Sequence, residues 1–308
     1  MKMALIIPVR NAGPWLDHLL PALAAQTRQP DEWLVVDSES GDDSAARLRA
    51  AGARVEGIPA ARFNHGGTRR MASELVRAEL LVYLTQDAIP ADERSLERLC
   101  AALMDDAEVG MAFGRQLPHH GAGVLAAHAR QFNYPPQSRS KRLRDAAELG
   151  IKTCFASDSF CAYRREALTA AGGFPADVIG SEDAYVAACM LLAGWAVRYE
   201  ADAAVRHSHD YSLLQEFRRY FDVGVFYGRE RWIAEHFGGA SGEGLRFVRS
   251  ELRALLEAGQ AWRLPEAALR CALKWAGYRL GCHERALPRA LKRRLGMFGA
   301  YWNQETIQ

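Results

Sequence analysis

No stretch of this chain is apolar for long enough to span a bilayer. The opening run Met1-Lys2-Met3-Ala4-Leu5-Ile6-Ile7-Pro8 is short and carries no cleavage site, so it does not read as a secretory leader. The six cysteines include no CxxC pair; Cys100, Cys154, Cys161, Cys189, Cys271 and Cys282 lie within apolar or helical patterns. That argues against a zinc cluster or a disulfide framework and leaves reduced thiols, the expectation for a cytoplasmic protein. Neither sign of charge is in large excess. The net charge of +2 excludes a general polyanion binder, and no nucleic-acid partner is expected. Internal repeats and low-complexity tracts are also missing. What is there is ordinary globular material: 308 residues, 49% of them hydrophobic, allow a sizeable core and one or two domains.

The first half alternates short apolar runs with helical patterns. Strands are expected at residues 4–8, 33–37, 54–59 and 80–85, with helices between them, the first capped by Asn11 and the third spanning 67–78. Such alternation predicts a largely parallel sheet covered on both faces. In such sheets ligands sit beyond the carboxyl ends of the strands, where Val9-Arg10-Asn11, Asp37 and Asp87 fall. Further strands are expected at 110–114, 160–163 and 196–199, and helices at 95–104, 165–171 and 183–193. Residues 119–157 are less regular and read as a partly helical, mobile acceptor-facing segment. After His209 the pattern is helix-rich, with expected helices at 215–235, 245–260 and 265–280.

Several residues stand where chemistry could be done, each with a plainer local reading. Asp87, at the end of the apolar run Leu80 to Leu84, can ligate a hard divalent cation beside a phosphate, or can simply close a turn. Asp37 can accept from a pyrimidine imide N–H, or cap a turn. In Phe63-Asn64-His65-Gly66-Gly67-Thr68-Arg69-Arg70 the glycines would let backbone approach a phosphate and Arg69 or Arg70 would neutralise it. In Ser181-Glu182-Asp183 one carboxylate can act as general base, although acidic residues are also common in a helix's first turn. His207 and His209, two apart, point to one side of an extended chain and either could complete a metal shell or contact phosphate.

These pieces, in this order, resemble glycosyltransferase family 2 over roughly residues 3–225. The carriers are Ile7-Pro8-Val9-Arg10-Asn11, Val35-Val36-Asp37-Ser38, the acidic motif at Asp87, Gly172-Gly173-Phe174 and Glu182-Asp183. Phe63 to Arg69, Leu84-Thr85-Gln86-Asp87-Ala88, His207 to Ser212 and Arg219 to Gly224 are similar to its bacterial rhamnosyltransferase branch. One departure is Thr85, which replaces the first acid of the usual Asp-x-Asp. The resemblance implies a GT-A, Rossmann-like α/β fold with a mostly parallel central sheet and a helical C-terminal extension. It implies a catalytic domain over 1–212, with a donor half of about 1–115 and an acceptor half of about 116–212, followed by a helical region over 213–308. The implied donor-binding residues are Pro8, Val9, Arg10, Asn11, Asp37, Glu39, His65, Gly66, Arg69 and Gln86. The implied metal, Mg²⁺ or Mn²⁺, would be held by Asp87 with His207 or His209; Asp183 would be the base, and Glu182 and Asp158 would meet the acceptor.

The implied reaction is transfer with inversion from dTDP-β-L-rhamnose to a saccharide, lipid-linked or free, in O-antigen or other surface polysaccharide synthesis. A UDP-sugar donor is the alternative within the fold. A silent scaffold in an assembly complex is the alternative outside enzymes. A sugar-1-phosphate nucleotidylyltransferase would need a Gly-rich N-terminal loop with Arg and Lys, and only Pro8-Val9-Arg10-Asn11 is found. The C-terminal stretch joins Leu269, Leu273, Trp275, Ala276 and Leu280 to basic residues such as Arg279, Arg289 and Arg293, with Met297, Phe298, Tyr301 and Trp302 following. It suits an anionic membrane surface on the cytoplasmic side, or packing on the core or a second copy in a homodimer.

Overall fold

A computed structural model describes residues 1–239 and 242–304. In chain order the elements are β1 (Met3–Val9), α1 (Gly13–Ala24), β2 (Glu32–Asp37), α2 (Ser44–Ala50), β3 (Arg54–Gly57), α3 (His65–Leu75), β4 (Leu80–Leu84), β5 (Ile89–Pro90), α4 (Ser95–Met104), β6 (Val109–Leu117), α5 (Val124–Asn133), β7 (Arg139–Lys141), α6 (Ala146–Leu149), β8 (Phe160–Arg164), α7 (Arg165–Ala170), α8 (Glu182–Leu192) and β9 (Ala196–Arg206). Helices follow: α9 (Leu213–Arg229), α10 (Arg231–Phe237), α11 (Glu243–Glu257), α12 (Leu264–Cys282), α13 (Arg289–Leu295) and α14 (Tyr301–Gln304).

One sheet runs in the order β3-β2-β1-β4-β8-β6-β9-β5, with β7 added alongside β9. The half from β3 to β4 is parallel; β8 enters antiparallel between β4 and β6, and β6 and β9 are parallel again. Side chains alternate across it as the period of two demands. Met3, Leu5, Ile7 and Val9 join the core under one face, and Ala4 and Ile6 join the core under the other.

Three features of this topology place the site. β1 has β2 on one side and β4 on the other, so the chain reverses its strand order there, and a crevice opens beyond the carboxyl ends. Phe160 pairs with Leu84, which brings the residues before β8, including Asp158, to the same end as those after β4. Ile89 pairs antiparallel with Arg206, so the residue pairs just before the first and just after the second, Asp87 and His207 among them, lie side by side.

The C-terminal helices share this core: Phe221, Val225, Phe226, Ile233, Phe237 and Trp302 lie in the same apolar cluster as Ile6 and Tyr83. The helix expected at 215–235 is broken at Glu230 into α9 and α10. α9 and α12 touch backbone to backbone through two glycine pairs four residues apart, Gly224 with Gly228 and Gly277 with Gly281. A Cβ on Gly281 would stand 2.1 Å from the Phe221 carbonyl oxygen, and one on Gly224 would stand 2.2 Å from that of Tyr278. Among the described residues no helix is long and apolar enough to cross a membrane.

Candidate active site

The loops at the carboxyl end brace one another. Arg10 donates its N–H to Gln86 Oε1 (2.8 Å), and Gln86 Nε2 returns a bond to the Arg10 carbonyl (3.1 Å). Asn11 does not cap α1. Its backbone sits in the left-handed region (φ 51°), its side-chain oxygen accepts from Gly41 N–H (2.8 Å), and Ala12 takes the cap position. The Asp37 carboxylate accepts from the hydroxyl and N–H of Ser40, and Glu39 accepts from Ala60 N–H (2.7 Å). A cavity of about 470 Å³ opens against Pro8, Val9, Arg10, Ser38, His65, Gln86 and Asp87. Asn11, Asp37 and Glu39 belong to the loops beside it rather than to its lining.

The His-Gly-Gly segment differs from expectation. α3 begins at His65, two residues early, because Asn64 caps it by accepting from Gly67 N–H (2.8 Å). Gly66 lies in the first turn of α3. It is buried, and a Cβ there would fall 1.8 Å from the Pro175 carbonyl oxygen, so its bareness serves packing. Arg69 lines the cavity as well. It is 4% exposed and committed to two acids, Asp158 (3.0 Å) and Glu182 (2.9 Å). Those two acids, expected at the acceptor, thus pair with Arg69 while also lining the cavity of Asp183; Asp158 also accepts from the Tyr163 hydroxyl.

One guanidinium cannot neutralise two buried carboxylates and the half-buried Asp183 beside them. Burial works against Glu182 as an anion, but Arg69 outweighs it and holds its pKa below the ordinary value. Asp158 is pushed up to about 8, first by burial and then by its acidic neighbours against the pull of Arg69. Asp183 is pushed up to about 6 by burial and by Glu182. Among the described residues Asp183 has no ion-pair partner, and its oxygens accept from the N–H groups of Ala184 (2.7 Å) and Asp158 (3.3 Å). It lines a second cavity of about 480 Å³ that also reaches Asp87, His207, His209 and Arg219. A carboxylate poised near 6 and open to a cavity is suited to taking a proton.

Across that cavity Asp87 Oδ2 lies 3.3 Å from His207 Nε2 and 3.7 Å from His209 Nε2. Ligand atoms of all three come within 4.8 Å of one another, which fits a single divalent cation. Burial opposes ionisation of Asp87, but the hydrogen bond and charge of His207, with His209, hold its carboxyl well below the usual range. His209 is pushed down to about 4, first by burial, so its imidazole is neutral and has a lone pair to give. Both histidines face the acid, as their spacing implied.

Four contributors are not expected at the site from the sequence, which places two of them, Met297 and Phe298, in the basic and aromatic tail instead. Gln116 fixes the His207 ring by meeting Nδ1 at 2.9 Å, and it also takes a bond from Arg130. A third cavity, of about 600 Å³, runs from His209 and Arg219 between α5, α9 and α12 and includes Arg130. Met297 and Phe298, at the far end of the chain, line the first two cavities. For Gln116 and Arg130 the only signal was polarity inside otherwise apolar elements.

Comparisons with known proteins agree with this geometry. Residues 4–171 match the family described as Glycosyl transferase family 2. The chain is 44% identical over 305 residues to the O-antigen chain rhamnosyltransferase WbaN of Salmonella anatum, covering 98% of this chain and 96% of that one. It is 44% identical over 307 residues to the O-antigen chain rhamnosyltransferase RfbN of Salmonella typhimurium, with the same coverage. Among solved structures it is similar to the mannosyltransferase PcManGT from Pyrobaculum calidifontis in complex with GDP-Man and Mn²⁺ (TM-score 0.57, 20% identity, 98% of this chain and 85% of that one). It is also similar to S. aureus TarS 1-349 (TM-score 0.54, 17% identity, 92% and 91%). At these identities the two structures speak for the fold, which is GT-A.

Proposed function

The chain belongs to glycosyl transferase family 2, and from that premise we propose that it is an inverting rhamnosyltransferase of O-antigen synthesis using dTDP-β-L-rhamnose. The sugar is read from the two relatives at 44% identity. The chemistry rests on one observation: of the three acids that line the cavity with Asp87, Asp158 and Glu182 are paired with Arg69, and Asp183 has no ion-pair partner among the described residues.

Pro8, Val9, Arg10 and Ser38 hold the pyrimidine end, with Asp37 and Glu39 keeping their loops in place. Asp87, His207 and His209 would hold a divalent cation, Mg²⁺ or Mn²⁺, with the two nitrogen ligands favouring Mn²⁺. Such a cation, when bound, offsets the charge that builds on the departing diphosphate. Asp183 takes the proton of the acceptor hydroxyl. The acceptor oxygen bonds to the anomeric carbon on the face opposite the diphosphate, the C–O bond to the β-phosphate breaks, and its electron pair leaves on dTDP. Inversion of the β donor gives an α-L-rhamnoside.

The division of labour follows: residues of about 1–115 supply most of the donor site, about 116–212 carry the base and meet the acceptor, and the helical region from 213 onward closes the donor cavity with Met297 and Phe298 and adds an outer surface. In that region Trp262 is 76% exposed and Trp275 68%, Leu269 between them in sequence is exposed as well, and Arg279 follows Trp275 by one helical turn. Aromatic rings beside basic side chains suit the headgroup region of an anionic membrane. This would place the enzyme on the cytoplasmic face, beside a lipid-linked saccharide.

The experiment is donor binding by calorimetry with dTDP-rhamnose, UDP-glucose and UDP-N-acetylglucosamine, each with and without Mn²⁺ or Mg²⁺. Metal-enhanced binding of dTDP-rhamnose alone is expected. Preference for a UDP-sugar would overturn the donor, and binding of none, with acceptor-bearing vesicles present, would overturn the enzyme reading.

A further inference from the structure

The cavity of the nucleotide loops and the cavity of Asp183 share six lining residues: His65, Arg69, Thr85, Asp87, Met297 and Phe298. The sugar in transit must lie at this junction, because it has to be bonded to the diphosphate on one side and reachable from the base on the other. Four of the six are polar and lie within the span shared with the family, residues 4–171. The two apolar ones come from outside it.

Met297 and Phe298 are held there firmly. The Asp222 carboxylate accepts from both of their N–H groups, at 2.8 Å and 3.0 Å. Trp302 is fully buried beneath Lys292 and Arg229, and the Tyr301 hydroxyl donates to the Asp177 carbonyl (2.7 Å). The Phe298 ring rests on Gly180 and meets the His65 ring edge-on at 4.4 Å. His65 Nε2 is buried and has no hydrogen-bond partner among the described residues. Burial pushes its pKa down to about 4, so the imidazole is neutral. An unpaired polar atom thus stands beside an apolar ring where the sugar must lie.

We propose that His65 and Phe298 read the transferred sugar as a pair: His65 Nε2 bonds a ring hydroxyl, and Phe298 meets the deoxygenated C6 of a 6-deoxyhexose. The C-terminal segment 296–301 is then an element of donor specificity. The inference rests on the rhamnosyl reading above. A 6-hydroxyl against Phe298 would be stripped of water with no partner, which sets the expected discrimination at about 10- to 100-fold.

The test measures binding of dTDP, dTDP-L-rhamnose and dTDP-L-mannose, the 6-hydroxy counterpart, to the full chain with Mn²⁺. Wild type should prefer the deoxy sugar by about 10- to 100-fold. F298N should shrink that gap to about threefold or less with dTDP affinity unchanged, whereas F298L should keep it. H65A should weaken both sugars alike relative to dTDP. An intact gap in F298N overturns the proposal. So does loss of dTDP binding in both Phe298 variants, which would mark the segment as purely structural. Wild type that ignores dTDP-rhamnose while binding another nucleotide sugar would instead sink the rhamnosyl reading on which the proposal stands.

Discussion

Replacing Arg69 with Met tests whether this side chain is a buried counterion or a phosphate ligand. The methionine fills similar space and removes only the charge. Asp158, held up at about 8, already carries its proton at pH 7, so the group left unpaired is Glu182. At 5% exposure Glu182 cannot stay ionised cheaply, and its escape is protonation. Forcing a carboxyl of unfolded pKa about 4.3 to be protonated costs about 1.4 kcal/mol per pH unit above that value, hence about 3.7 kcal/mol at pH 7. This lies within the range of about 3–5 kcal/mol typical of breaking a buried pair.

The sign with pH follows from the direction of the Glu182 shift. In the wild type its pKa is lowered, so its stabilisation is present above the unfolded value and is lost as pH falls through the folded one. In R69M the same pKa is raised, so stability falls as pH rises. The two denaturation curves should therefore be about 3.7 kcal/mol apart at pH 7 and about 1 kcal/mol apart at pH 5. Urea unfolding across that range, with circular dichroism as readout, measures this. A variant as stable as wild type at pH 7 that had lost only donor affinity would refute the reasoning and restore Arg69 to the phosphate.

Three further outcomes are expected. Asp183 is ionised above about 6 and protonated below it, so kcat/KM should fall on the acid side with an apparent pKa near 6; D183N should lower kcat by roughly 10²- to 10⁴-fold while dTDP binding persists. H209A removes one of three ligand groups, and Q116L frees the His207 ring, so each should weaken Mn²⁺ affinity in the presence of dTDP by about tenfold or more, read by paramagnetic resonance. G281A sets a methyl against the backbone of Phe221 and Val225, which cannot yield without parting α9 from α12; destabilisation of about 1–3 kcal/mol is expected by denaturation, and weaker donor binding with it, because α9 carries Asp222.

The parts of this molecule legible in its sequence are those set by local pattern. The strands β1, β2 and β4 are continuous apolar runs, and their carboxyl ends declare where ligands go. The His207 and His209 spacing declared a shared direction because a period of two survives just past the end of β9. What local pattern does not show is the second job of residues whose type suits two. Arg69 and Gly66 look like a phosphate cradle in one dimension. Only the three-dimensional neighbours, two acids for the arginine and the Pro175 carbonyl for the glycine, show that the same residues also serve the core. The pairing of Glu182 and Asp158 with Arg69 is hidden for the same reason, since a paired acid and a catalytic acid share a letter. The glycine pairs of α9 and α12 carry no message in one dimension, because two glycines four apart mean close packing only when a second helix supplies the matching pair. Phe298 reads in one dimension only as an aromatic of a basic tail. It stands 233 positions from His65, and nothing in the local pattern of Gly296 to Tyr301 marks it as a wall of the donor cavity. Its place is set from outside that pattern, by the Asp222 carboxylate on α9, by Gly180 beneath its ring and by the Tyr301 hydroxyl on the Asp177 carbonyl, so the wall exists only once α9 and the loop before α8 have come together.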